Sequence, residues 1–412
     1  METAKQSEAS ALFHLIKSCT GSGILSMPIA FKYAGLVVGT LCLILTSIIC
    51  AYCTYLVINC SNYISKVTGT TPSSFADVAE AACKCGPSWA HKHTGLLKNV
   101  MSVAVFLGYY SCLSIYTVII AMNLENVITY YWMPINLRIY MAVLIVPFLL
   151  ISYVPNWERL ATISLISNLF MIGGVVVIIY YSVKDLPVEG ERTLTGNIEN
   201  LPTFFSIIIF SSQMIGLAIP LNNNMRNPEK FVGVFGVLNK AAFVVALLYF
   251  LVGLLGYIRY GDDTEENITL NLPNDSYAAQ AVQLLIVLSI FGAYGTQFFI
   301  SLEIIWEEVK HKITKKITLI NYIIRTLMIV IAILIAVAIP SIVPFMSLVG
   351  AICFSTAGII MPMIINILTF WNEIHYNYYK IAKCIVVFLF GVLAMISGTV
   401  TAIIDIIALY KD

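Results

Sequence analysis

The sequence predicts an all-α membrane protein of about eleven transmembrane helices, and three observations carry that prediction. Hydrophobic residues fill 59% of the 412 positions and charged residues only 11%; a soluble domain carries about 45–50% apolar and about 25% charged residues. No core hides such an excess, and a globular surface needs more charge to stay dissolved, so the bilayer is the solvent. The second observation is a series of apolar runs near the length of about 20 residues that a spanning helix needs. The third is the uneven placement of lysine and arginine between those runs.

In chain order the spans fall near residues 11–34, 37–60, 96–123, 139–154, 160–182, 201–221, 231–258, 278–305, 320–338, 341–369 and 381–409. Nothing between them is large enough to fold alone, so residues 1–412 read as a single transmembrane domain. Residues 1–10 form a cytoplasmic tail, 61–95 a cytoplasmic loop, and 183–200 and 259–277 extracytoplasmic loops. Within the loop 61–95, residues 74–83 have the pattern of a short amphipathic helix that Gly86-Pro87 ends.

Sidedness follows from the basic residues. With the N-terminus cytoplasmic, Lys66, Lys84, Lys92, Lys98, Arg226, Lys230, Lys310, Lys316, Lys380 and Lys383 all lie inside. The opposite loops keep Arg138, Lys184, Arg192 and Arg259, diluted by Asp262, Asp263, Glu265, Glu266 and other acids. Asn267-Ile-Thr and Asn274-Asp-Ser are glycosylation sequons in the loop after the seventh span, outside in this orientation. The odd helix count puts the C-terminus outside. No cleavable signal peptide is legible, and no sorting address separates a plasma membrane from an endolysosomal one.

Composition and motifs exclude several classes. A net charge of +1 offers no basis for a nucleic-acid partner. Most of the ten cysteines lie inside apolar runs, where they read as small hydrophobes, and Cys83 and Cys85 lack the further ligands of a zinc site, so no metal and no cofactor are expected. No HExxH, GxSxG or Walker loop is present, which argues against an enzyme or an ATP-driven pump.

Two spans are interrupted at matching places. The first contains Gly21-Ser22-Gly23 with Pro28 following, and the sixth contains Ser211-Ser212-Gln213-Met214-Ile215-Gly216 with Pro220 following. Glycine eases departure from helical geometry and proline removes a donor. In lipid such a break is tolerated where it lines a protein-walled cavity. Paired breaks opening two five-helix halves point to an inverted-repeat transporter with its site at the midplane. The half-helix after Gly21-Ser22-Gly23 offers N–H groups and positive dipole to a carboxylate, while carbonyls before the breaks suit an ammonium. Thr20, Gly21, Ser22, Gly23, Ser212, Gln213 and Gly216 are therefore the candidate substrate-binding residues, for a small neutral zwitterion. The plainer alternative is that the small residues serve helix packing alone. Tyr109 and Tyr116 share one face of the third helix, where either lining or packing accounts for them.

These residues carry a family resemblance. The stretch from His14 to Gly39 resembles the first helix of the proton-assisted amino acid transporters, a branch of the amino acid/auxin permease family with an APC/LeuT-like core. The likeness continues in Asp77-Val-Ala-Glu-Ala-Ala, Leu137-Arg-Ile-Tyr-Met141, Ile219-Pro-Leu, Gly256-Tyr-Ile-Arg-Tyr-Gly-Asp-Asp263, Asn267-Ile-Thr-Leu-Asn-Leu-Pro273 and Gln297-Phe-Phe. Insect members are the nearest in pattern. The resemblance implies a five-plus-five inverted repeat with broken helices 1 and 6, and transport of small amino acids, often driven by protons.

It also exposes departures. The family's sixth helix usually carries Phe-Glu-Gly-Ile-Gly, where this chain has Ser212-Gln213-Met214-Ile215-Gly216, and a second family glutamate is Asn222 here. Met122 falls where relatives often have an acid, with Glu125 close by. Amides keep hydrogen bonds but cannot titrate. The proton-coupling candidates left are His14, which matches a family histidine linked to coupling, and Glu303; Asp405 near the last helix end is a weaker one. Two drive mechanisms stay open, proton symport and facilitated transport. The alternative function is a transporter-like amino acid sensor with little flux.

Overall fold

The computed structural model describes residues 6–154, 157–184, 192–212, 214–310, 316–371 and 378–411, the side chains at 157–162, 164 and 215 excepted. The helices, in chain order, begin with α1 (Glu8–Cys19), α2 (Ser22–Leu25), α3 (Met27–Ala34), α4 (Leu36–Thr68), α5 (Phe75–Cys85) and α6 (Ser88–His91). They continue with α7 (Thr94–Tyr131), α8 (Leu137–Val143), α9 (Ile145–Ser152), α10 (Trp157–Lys184), α11 (Leu201–Ser211) and α12 (Ile215–Asn224). The remainder are α13 (Val237–Tyr260), α14 (Tyr277–Lys310), α15 (Ile317–Ala338), α16 (Ile342–Val349), α17 (Met361–Thr369) and α18 (Tyr378–Ala408).

Nine helical stretches among the described residues are long and apolar enough to cross a bilayer. The other two expected spans are the interrupted run α1–α3 and the pair α8–α9. Those two helices part at Leu144, three residues before Pro147, whose ring crowds the carbonyl of Val143 and whose nitrogen donates nothing. The most hydrophobic 18 residues of α7 and of the α16–α17 stretch are 72% and 78% buried, against 28% for α4 and for α18. The former are therefore the core, and the latter present Leu41, Ile44, Ile48, Leu393 and Ile396 outward to lipid.

Both interruptions occur where the glycine, serine and proline pattern puts them. α1 stops at Cys19, Thr20 and Gly21 leave helical geometry, and the chain resumes at Ser22 and again at Met27. α11 stops at Ser211 and α12 begins at Ile215. The two broken runs are antiparallel and tied at both ends through the backbone. Gln6, before α1, donates to the Asn224 carbonyl at 2.8 Å and accepts from Arg226 at 3.1 Å, beyond the end of α12. At the other end Gly196, ahead of α11, donates to Ala34 at 2.8 Å, while Leu36 and Val37 donate to Thr193 and Leu194. Opposite polarity of matched broken helices is the signature of an inverted repeat.

Several expected boundaries differ; the third span, for one, runs on as α7 to Tyr131 rather than ending near 123. The second span does not end near residue 60; α4 runs to Thr68, because no breaker intervenes before Gly69, which caps it in the left-handed conformation. Much of the expected loop 61–95 is thus helical. α5 lies one residue from its expected start, with Ser74 and Asp77 forming a capping box and Gly86 ending it. Glu80 fastens α5 to α7 through Lys98 at 2.6 Å. The seventh span begins later than residue 231, since Gly236 donates to Gly233 at 2.7 Å in a turn and α13 starts at Val237.

The tenth span is widened. Two π turns, Gly350–Phe354 and Thr356–Ile360, separate α16 from α17. Pro362 follows them and cannot donate to Gly358, so the backbone re-spaces locally rather than leaving that register strained.

Close packing of α3 on α13 depends on two glycines. A Cβ at Gly253 would stand 2.5 Å from the Phe31 ring, and one at Gly256 would stand 2.6 Å from Pro28 Cγ. Substitution Gly256→Leu should lower the unfolding free energy in detergent micelles by about 1–3 kcal/mol through overpacking, read as a lower midpoint in thermal unfolding. An unchanged midpoint would show that α3 is free to move away.

Candidate functional site

The two breaks meet at one small cavity, of about 30 Å³. That is room for roughly two water molecules, so the walls are drawn together in this conformation. Ser18, Cys19, Gly21, Ser22 and Gly23 come from the first break, Phe210 and Ser211 from the second, and Tyr109, Cys112 and Tyr116 from one face of α7. Gln297 of α14 and Phe354 of the first π turn complete it. None of these lining residues carries a charge at neutral pH.

The packing of the breaks is close. A Cβ on Gly23 would overlap the Ser211 side chain, and a Cβ on Gly21 would sit 3.2 Å from the Tyr116 hydroxyl. Gly216 donates its backbone N–H to the Tyr109 hydroxyl at 2.9 Å, and a Cβ there would collide with the same ring. Small residues at these positions therefore serve helix approach and cavity lining together. The apolar wall is aromatic: Phe354 meets Tyr109 edge-on at 6.1 Å and Phe210 at 5.6 Å between ring centroids.

Polar chemistry is confined to a few groups. No side chain caps the start of α2 at Gly21, and the first amides of a helix have no intrahelical acceptor. The Gln297 Oε1 and Ser212 Oγ atoms are buried without a hydrogen-bond partner. The carbonyls of Cys19 and Ser211, the ends of α1 and α11, are both occupied: the Tyr249 hydroxyl of α13 lies 2.6 Å from the first and 2.7 Å from the second. Tyr249 is fully buried.

Gly21, Ser22 and Gly23 line the cavity as the sequence leads one to expect. Thr20 does not: its hydroxyl donates back to Ile16 at 3.1 Å. Ser212 and Gly216 sit behind the lining, next to Ser211 and Tyr109. Gln213 lies outside the described residues. His14 is half-buried on α1 with its ring edge toward Phe13, and Glu303 is exposed on α14, six residues beyond Gln297; neither reaches the cavity. Asn222 donates to Asn62 at 2.9 Å, joining α12 to α4. Asn267 is 0% exposed and its Oδ1 accepts from Thr269, so the folded loop has no room for a glycan there, contrary to the sequon reading. Asn274 is exposed.

Sequence reasoning passed over Tyr249, Phe210, Phe354 and Cys112. A hydroxyl at mid-helix amid the leucines and valines of α13 was the available signal for the first. Phe354 enters only because the π turns rotate it inward, which no periodicity reveals.

The family model described as "Transmembrane amino acid transporter protein" matches residues 4–404. The chain is 41% identical over 404 residues to the proton-coupled amino acid transporter-like protein pathetic of Drosophila melanogaster, covering 97% of this chain and 85% of the relative. It is 24% identical over 396 residues to the amino acid transporter AVT3A of Arabidopsis thaliana, covering 94% and 87% respectively. Among solved structures, the inward-facing conformation of Mhp1 is similar in fold, with a TM-score of 0.58 at 12% identity over 98% of this chain and 90% of that one.

Substitution Tyr249→Phe removes the hydroxyl shared by two buried carbonyls, of which Cys19 keeps the Gly21 N–H at 2.8 Å, and should cost about 1–3 kcal/mol and loosen the two breaks. The expected readout is a lower thermal midpoint together with a loss of any solute flux the cavity supports, and wild-type values for both would remove Tyr249 from the site.

Proposed function

The chain belongs to the transmembrane amino acid transporter family, and from that premise we propose that it moves small neutral amino acids by alternating access with protons as the driving ion. It is a multi-pass membrane transporter and not an enzyme. The observation that carries the cargo is the uncharged cavity held between two antiparallel helix breaks. A zwitterion brings one charge of each sign. Its carboxylate suits the open amides at the start of α2, and its ammonium suits the unpartnered Gln297 Oε1 that lines the cavity. An anionic or cationic side chain on the substrate would meet no counter-charge there. The aromatic wall of Phe210, Phe354 and Tyr109 must part to admit any substrate, which favours hydrogen or a few carbons as the side chain.

Proton drive is supported by the printed name of the Drosophila relative. The N-terminus is proposed to face the cytoplasm and the C-terminus the outside, in a plasma or endolysosomal membrane, from the distribution of basic residues. Asn274, exposed in the loop before α14, is the proposed glycosylation site.

Radiolabelled alanine uptake into oocytes should rise on expression of the chain and fall when a protonophore collapses the gradient. Uptake that ignores the protonophore would make the chain a facilitator, and binding without uptake would make it a sensor. Substitution Gln297→Ala should raise the KM for alanine about tenfold, the equivalent of one hydrogen bond to a charged partner. Glycosidase treatment should shift the mass of the wild-type chain and of Asn267→Gln but not of Asn274→Gln; a shift surviving in Asn274→Gln would overturn that assignment.

A further inference from the structure

The turn after α13 reaches back over the first break. Ser26, the hinge between α2 and α3, donates its hydroxyl to the Glu266 backbone carbonyl at 2.9 Å and lies 3.6 Å from Met346 Sδ of α16. The Glu266 carboxyl in turn accepts from the Ser341 hydroxyl at 2.5 Å and from the Ile342 backbone N–H at 2.7 Å, where α16 starts. Lys32 of α3 donates to the Asp262 and Thr264 carbonyls of the same turn, at 2.6 and 3.3 Å. One residue therefore bonds both to the segment that follows Gly21-Ser22-Gly23 and to the helix that leads into Phe354. Parting α3 from α16 on this side of the cavity requires these bonds to break.

The group making them is an acid without a cation. None of the ion pairs among the described residues includes Glu266. Two cations at this turn bond elsewhere, Lys32 to the two carbonyls above and Arg192 to those of Ile258 and Arg259. Glu265 is the adjoining charge along the loop. Tyr33 of α3 faces both Glu266 and Asp405 of α18. An acid from the loop, Glu265, and a tyrosine from α3 thus flank the carboxyl.

We propose that Glu266 is a proton-binding site that latches the outer gate shut when it is protonated, so that acid outside holds the gate closed over the cavity. The proposal rests on the transport reading and the orientation given above. Protonation adds a hydrogen to one carboxyl oxygen; that O–H then donates to Ser341, whose hydroxyl turns to accept, and the other oxygen keeps the Ile342 N–H. Both bonds to α16 survive, and the buried charge is gone. Burial lifts the carboxyl above the usual carboxylate range and the charge of Glu265 adds to the rise, while the bonds from Ser341, Ile342 and Val343 oppose it. The closed latch therefore holds a proton more tightly than an open, hydrated Glu266, and by linkage acid favours closure.

The test is exchange of radiolabelled alanine by the full chain in liposomes, with equal pH on both sides so that no gradient contributes. Wild-type exchange should be slower in mild acid than at neutral pH, because the latched gate must reopen, by up to about tenfold for each unit separating the closed and open carboxyls. The E266Q carrier, a permanently neutral isostere, should exchange at the acid rate throughout. S341A removes a donor to the charged form and should move the midpoint to higher pH, which decides the matter if E266Q fails to insert. A wild-type pH profile in both variants overturns the latch while leaving transport standing. Absence of exchange by the wild type overturns the transport reading and the latch with it.

Discussion

The structure depends on what becomes of two backbone carbonyls inside the membrane. A helix that stops within lipid leaves its last carbonyls without water to bond. Here α1 and α11 both stop, at Cys19 and Ser211, and both present their carbonyl oxygens to the single hydroxyl of Tyr249. One proton shared between two acceptors satisfies neither fully, yet it binds two separate breaks to a third helix. The amides that begin the next half-helices are then held on opposite walls of one space. Without such a donor the breaks would be destabilised individually and the cavity between them would have no fixed shape.

Around that point the chain is tied in antiparallel fashion. Backbone bonds join Gln6 to the end of α12 and Gly196 to the end of α3. The two broken helices are therefore constrained at both membrane faces and interrupted in the middle, the arrangement in which half-helices tilt while their neighbours stay fixed. The π turns of the tenth span add a second local departure from α geometry at the same depth, where Phe354 meets the aromatic rings of α7 and α11. Irregular backbone is concentrated around the cavity and absent from the lipid-facing surfaces of α4 and α18.

Asn222, an amide where the family resemblance leads one to expect a glutamate, takes on a packing role. Asn222 bonds to Asn62 and so links the far half of the sixth span to α4. With only uncharged residues in its lining the cavity has no internal charge to offset, which removes the desolvation cost that a buried carboxylate would add to the site. Ionisable groups stand instead at the periphery: His14 and Lys17 along α1, Glu303 at the lipid-facing side of α14, and Glu266 over the hinge.

Composition and local pattern by themselves determined that this chain lives in a membrane, where its spans lie, and where two of them break, because hydropathy, glycine and proline act over a few neighbouring residues. The short helix α5 and its end at Gly86 were legible for the same reason. The helix lengths beyond the apolar runs were not, since Ser61–Thr68 stays helical by packing α4 against α5 and α12 rather than by hydrophobicity. Which break residues face the cavity was decided only in three dimensions. Thr20 turns back onto its own helix, Ser212 and Gly216 stand behind the lining, and Asn267 is buried despite its sequon. Tyr249 and Phe354 enter from helices far away in the chain, and contacts at that separation leave no mark on local sequence; they exist only once the helices have packed.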